Sequence, residues 1–178
     1  MNQASFAYNT ILNTDQTRAI EHLIEIALKE ARSSHCRKSN RGVVITDSRG
    51  TLIGKGHNDP FEGQCALLLC YDPEREFDIC NQYAHHAEER ALREARRNNF
   101  GDQLIGGTLY HLKVDVETKQ PAPSGTPSCG PCARQISDAF LHSVVLLNEG
   151  EMGRHAVYTS HDFQTATLET IRRKARLK

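Results

Sequence analysis

The chain contains no tryptophan and only two methionines, and aromatic residues make up 6% of it. Proteins that draw single-stranded nucleic acid through a channel stack bases on aromatic side chains and track the backbone with positive charge. Net charge is lacking as well: 22 lysines and arginines balance 22 aspartates and glutamates, for a net charge of +0. That balance argues against a generally basic nucleic-acid binder and leaves only a local patch open. Long apolar runs are missing too. A run such as residues 66–69 falls far short of the roughly 18 residues a membrane span needs. The opening residues, MNQASFAYNT, lack the basic and apolar stretches of a secretory signal. The expectation is a cytoplasmic protein with no membrane association.

What is present suits one domain over residues 1–178, with 38% hydrophobic and 25% charged residues. Residues 1–13 read as a loose arm, and a helix capped by Thr14 or Asp15 follows. Ile20, Leu23, Ile24, Ala27, Leu28 and Ala31 then recur at helical spacing. Residues 42–46 and 51–56, joined by Asp47-Ser48-Arg49-Gly50, predict a hairpin. Residues 58–84 form a long irregular insertion rich in cysteine, of the kind that is functional or pinned. Helices are predicted over 86–97, 129–140 and 165–176, and strands over 108–114 and 143–147. Residues 120–128 read as a loop, and 157–160 have no clear assignment. Helix–strand alternation after a hairpin predicts an α/β fold with a mixed sheet.

Two short segments carry chemistry. His86-Ala87-Glu88 opens one predicted helix, and Pro127-Ser128-Cys129-Gly130-Pro131-Cys132 opens another. Cysteines three apart in a first helical turn share a face, so both thiolates reach one metal. A helix N-terminus favours the ionised thiol. His86 supplies a third ligand, and a fourth position stays open for water, as catalytic zinc requires. Two thiolates and a neutral imidazole cancel the charge of Zn2+. Glu88, two residues past the ligand, stands where a proton carrier for that water belongs. His85 competes with His86 but breaks the spacing to Glu88.

An H-x-E segment followed by C-x-x-C resembles the cytidine and deoxycytidylate deaminase superfamily, whose zinc enzymes deaminate nucleobases. The resemblance spans residues 36 to 147. It implies a three-layer α/β/α sandwich with a mixed central sheet of about five strands. It implies zinc on His86, Cys129 and Cys132, with Glu88 as the catalytic proton carrier. Asn58, at the end of a glycine-containing strand, matches the family's ribose-contacting asparagine. The Ala87 backbone and Ser128 fall where the family holds the base. One departure stands out: the family places proline directly before the first cysteine, whereas here Ser128 intervenes.

Cys36, Cys65, Cys70 and Cys80 remain. Their placement resembles the deoxycytidylate deaminase branch, in which some members bind a second, structural zinc; His85 can substitute for one of the four. The implied reaction is hydrolysis of a cytosine nucleotide or nucleoside to its uracil product and ammonia, with Lys55, His57 or Arg37 against a phosphate. Superfamily members assemble as homo-oligomers, so one is expected here. Three alternatives stay open. The basic end, Arg172, Arg173, Lys174, Arg176 and Lys178, keeps tRNA or single-stranded nucleic acid as a substrate. The altered Ser128 loop keeps guanine or another metabolite. A catalytically silent zinc module is the third, and the retained Glu88 argues against it.

Overall fold

The computed structural model describes residues 10–60, 84–125 and 128–176. Two-residue β1 (Thr10–Ile11) precedes helices α1 (Thr14–Ala19) and α2 (Glu21–Ser33). The hairpin β2 (Asn40–Thr46) and β3 (Leu52–His57) follows. Beyond the insertion come α3 (Ala87–Arg97), β4 (Thr108–Val114), short β5 (Pro121–Ala122), α4 (Gly130–Asp138), β6 (Ser143–Leu146), β7 (Ala156–Thr159) and α5 (Ser160–Arg176). The sheet runs β1-β7-β6-β4-β2-β3, with β5 attached to β4. β4 and β6 pair in parallel; every other pairing is antiparallel.

The sheet separates two apolar layers, which is the sandwich expected. Leu23, Ala27 and Ala31 of α2 pack on Val44, Leu112 and Val145 on one face. On the other, Ala87, Ala91 and Ala95 of α3, Ile136 of α4 and Phe163 of α5 cover Val43, Ile45, Leu109 and Leu146. The period-two alternation of β4 thus divides its side chains between the layers. α3 lies close on β3 because that strand presents glycines. A Cβ on Gly54 would fall 2.4 Å from the Ala91 carbonyl oxygen, and one on Gly56 2.7 Å from the Ala91 nitrogen.

Several boundaries differ from the sequence reading. The first helix breaks at Ile20 into α1 and α2, and its cap is Asn13: the Asn13 side chain accepts from the Gln16 N–H while Gln16 accepts from the Asn13 N–H. Asn13 wins over Thr14 because the reciprocal pair satisfies two groups at once. Thr10 and Ile11, read as part of a loose arm, pair with β7. Residues 156–159 are a strand, and α5 begins at Ser160, earlier than 165, because Thr159 and Asp162 cap it reciprocally. Among the described residues, the two short edge strands bring the sheet to seven, and five strands are longer than two residues. Residues 61–83, with Cys65, Cys70 and Cys80, lie outside the described residues, as do 1–9. Among the described residues, no helix is long and apolar enough to cross a membrane.

Candidate metal centre

His86 is the N-cap of α3 and Cys129 the N-cap of α4, so the starts of two helices converge. Pro131, in the first turn of α4, needs no N–H partner there and fixes the turn that presents the cysteines. One ligand atom from each of His86, Cys129 and Cys132 lies within 4.8 Å of the others. His86 Nδ1 stands 3.5 Å from Cys129 Sγ. Bond lengths of about 2.0–2.1 Å to nitrogen and about 2.3 Å to sulfur, at a tetrahedral angle, put two zinc ligands about 3.5 Å apart. The donor set and its spacing therefore fit zinc. The Cys129 thiol is lowered to about 5 by hydrogen bonding with Cys132 and His86 against the opposing effect of burial. Cys132, donating to that thiolate and buried, is pushed upward. The His86 imidazole is raised, chiefly by its bond to Cys129.

Glu88 is buried in the first turn of α3 and lines a small cavity with Leu109, His111, Ser128, Leu146 and Phe163. The Ser128 hydroxyl donates to Glu88 Oε1. Burial works against the carboxylate, yet the carboxyl sits below its ordinary range. Burial also holds the His111 imidazole down to about 4, with Arg41 acting in the same direction. A neutral His111 exerts no net charge on Glu88 at pH 7. The ionised carboxylate is therefore held by Ser128 and by the backbone N–H at the helix N-terminus.

The other expected residues fall in two groups. Ala87 is buried at the first position of α3, where its N–H has no intrahelical partner. Asn58 lies at the end of β3, but its amide is engaged by the chain itself. Its oxygen accepts from the Arg41 N–H at 2.7 Å, and its nitrogen donates to the Ser39 carbonyl at 2.7 Å. One amide hydrogen remains for a ligand. Lys55 and His57 are held by Glu30 at 3.0 and 2.9 Å, and His57 faces Asp59 as well. Arg37 is exposed, Cys36 is buried, and the His85 backbone pairs with Asp59.

His111, Arg41 and Phe163 were not singled out in the sequence. His111 is a lone polar residue on the buried face of β4, directly across from Val43 of β2 and Leu146 of β6. That interruption of an apolar face was the one readable signal. Arg41 reaches it only through the β2–β4 pairing, with Nη1 3.4 Å from His111 Nε2.

Comparison with known proteins agrees with this geometry. The family described as the cytidine and deoxycytidylate deaminase zinc-binding region matches residues 17–148. The fold is similar to a crystal structure of cytidine deaminase from Burkholderia pseudomallei: 16% identity, a TM-score of 0.51, 80% of this chain and 94% of that one covered. A dCMP deaminase from the cyanophage S-TIM5, in apo form, aligns at 16% identity and a TM-score of 0.47, over 78% of this chain and 86% of that one. No curated protein matches the chain. The match across residues 17–148, which takes in His86, Cys129 and Cys132, places the chain in the cytidine and deoxycytidylate deaminase zinc-binding family.

Proposed function

We propose that the protein hydrolyses the exocyclic amine of a cytosine nucleotide or nucleoside, giving the uracil product and ammonia. The observation that carries this reading is a buried carboxylate, Glu88, in a cavity beside three zinc-spaced donors. His86, Cys129 and Cys132 would hold one zinc ion, which when bound supplies an acidified water. Glu88 would take one proton from that water and deliver it to the ring nitrogen, then take the second from the hydroxyl added to the ring and deliver it to the departing amine. A C–O bond forms at C4 of the ring, the C–N bond breaks, and ammonia carries the transferred proton away. The Ala87 N–H and Ser128 hold the base, and the remaining Asn58 amide hydrogen serves the sugar.

The proposal extends to a second, structural zinc on Cys36, Cys65, Cys70 and Cys80, with His85 as a substitute ligand. Two zinc ions per chain, falling to one in Cys36→Ser, are the expected metal contents. A cytoplasmic homo-oligomer is part of the same reading, by analogy with the superfamily. Light scattering on the purified protein checks the assembly.

Ammonia release from zinc-loaded protein tests the activity across cytidine, deoxycytidine, their monophosphates, adenosine, guanine and a single-stranded oligonucleotide. Turnover on a cytosine compound is expected, with a loss of about 10²–10⁴-fold in Glu88→Ala at unchanged zinc content. Activity confined to the oligonucleotide, or silence throughout, overturns the substrate assignment.

A further inference from the structure

His111 is 5% exposed, on the central strand β4, and lines the same cavity as Glu88. Its Nε2 receives the Arg41 guanidinium, Nη1 standing 3.4 Å away. A guanidinium only donates, so Nε2 must be the unprotonated nitrogen. The proton of the neutral ring then sits on Nδ1. That atom is buried and has no hydrogen-bond partner among the described residues. Buried polar groups are almost always satisfied, and an orphan nitrogen on a residue that lines the cavity calls for an explanation. Arg41 is itself fixed: its Nε bonds Ser39 Oγ at 3.0 Å, and its backbone N–H bonds Asn58. Moving the proton to Nε2 would set N–H against the Arg41 N–H, and flipping the ring would put a C–H there in place of the acceptor.

We propose that His111 is a specificity-determining residue whose Nδ1–H donates to an acceptor on the substrate's ring, in the cavity that Glu88 also lines. This rests on the deaminase reading. The two side chains are complementary in kind: Glu88 offers a proton acceptor, His111 a fixed donor. The ligand class they select is an amino-substituted heterocycle that also carries an oxo group or an unprotonated ring nitrogen. A heterocycle lacking that acceptor leaves the buried N–H unmatched and is rejected.

Two substitutions separate the nitrogens. His111→Gln places an amide oxygen near the Nε2 position, keeping an acceptor for Arg41 while removing the donor at Nδ1. His111→Asn keeps an N–H near Nδ1 and gives up the Arg41 acceptor. The expected result is a crossing. Gln lowers kcat/KM by about tenfold or more with zinc content and Tm unchanged; Asn lowers Tm yet recovers kcat/KM to within about threefold of wild type. If activity instead follows Tm, with Asn the worse of the two, His111 is structural and the proposal is overturned. Equal kcat/KM in Gln and wild type also overturns it, as a water satisfying Nδ1 would produce. A second arm does not need turnover. Nitrogen-15 spectra should show Nδ1 protonated and Nε2 bare, with the Nδ1–H resonance moved by cytosine nucleosides, their monophosphates or the uracil counterparts. The opposite tautomer, or no movement with any of these, overturns the proposal even for a protein silent in every assay. Wild-type silence with a moving resonance fails the deaminase reading and leaves the donor assignment standing.

Discussion

The Ser128 hydroxyl donates to the Glu88 carboxylate from the position where the family carries proline, tying the start of α4 to the start of α3. A donor to the charged form favours ionisation. In Ser128→Ala the Glu88 carboxyl rises, and the acid limb of the kcat/KM profile moves to higher pH. Turnover at that limb falls by roughly tenfold while zinc content holds. A pH profile coincident with wild type would show that the hydroxyl does not tune Glu88.

Zinc bound only by the folded protein adds stability by mass action, about 2.7 kcal/mol at a hundredfold excess over Kd. For a chain of 178 residues that corresponds to a Tm fall of about 5–10 °C on chelation. Cys132→Ser should show the low Tm with or without added zinc, together with lost metal at this site. Scanning calorimetry with metal analysis makes the check; a chelator-insensitive wild type contradicts it.

Asn58→Ala removes the acceptor of the Arg41 N–H and the donor to Ser39. The cost is about 2–3 kcal/mol, read from urea unfolding of the zinc-loaded protein. A loss in KM without a loss of stability would mean that ligand contact outweighs this clamp.

Glu30 joins α2 to edge strand β3. The bond from His57 lowers its carboxyl to about 2, burial opposes, and Lys55 adds to the lowering. Because the folded pKa is below the unfolded one, the stabilisation is fully present above about pH 4.5 and disappears as pH falls towards 2. Glu30→Gln should cost about 1–2 kcal/mol at neutral pH, discounted for solvent screening, and the gap from wild type should close on acidification. Urea titrations at neutral and acid pH decide it; a gap independent of pH sinks the assignment.

The two segments that meet at the candidate metal centre were readable because each is local: H-x-E and C-x-x-C are complete within a helical turn, and only their meeting needed the fold. The apolar face through Leu23, Ala27 and Ala31 was legible for the same reason, since its period is fixed by the helix. The break at Ile20 was not, because an apolar residue continued the pattern through it. His111, Arg41 and Phe163 were hidden for another reason. Their proximity to Glu88 comes from strand register and from the earlier start of α5, neither of which leaves a mark at fixed sequence spacing. Asn58 was read as a ligand contact; its clamp on Arg41 and Ser39 depends on where β2 begins, which the β-branched run did not mark.

Asp59 and His85 exchange both backbone hydrogen bonds, at 3.0 and 2.9 Å. Whatever chain lies between them leaves and returns at a single point beside His86. Its length is then decoupled from the geometry of His86, Cys129 and Cys132, since closing a longer or shorter loop changes its entropy only logarithmically. The bridge acts as a graft point: segments of different size can be exchanged there across evolution, or by an engineer, to alter what the protein meets while the chemistry below stays in register.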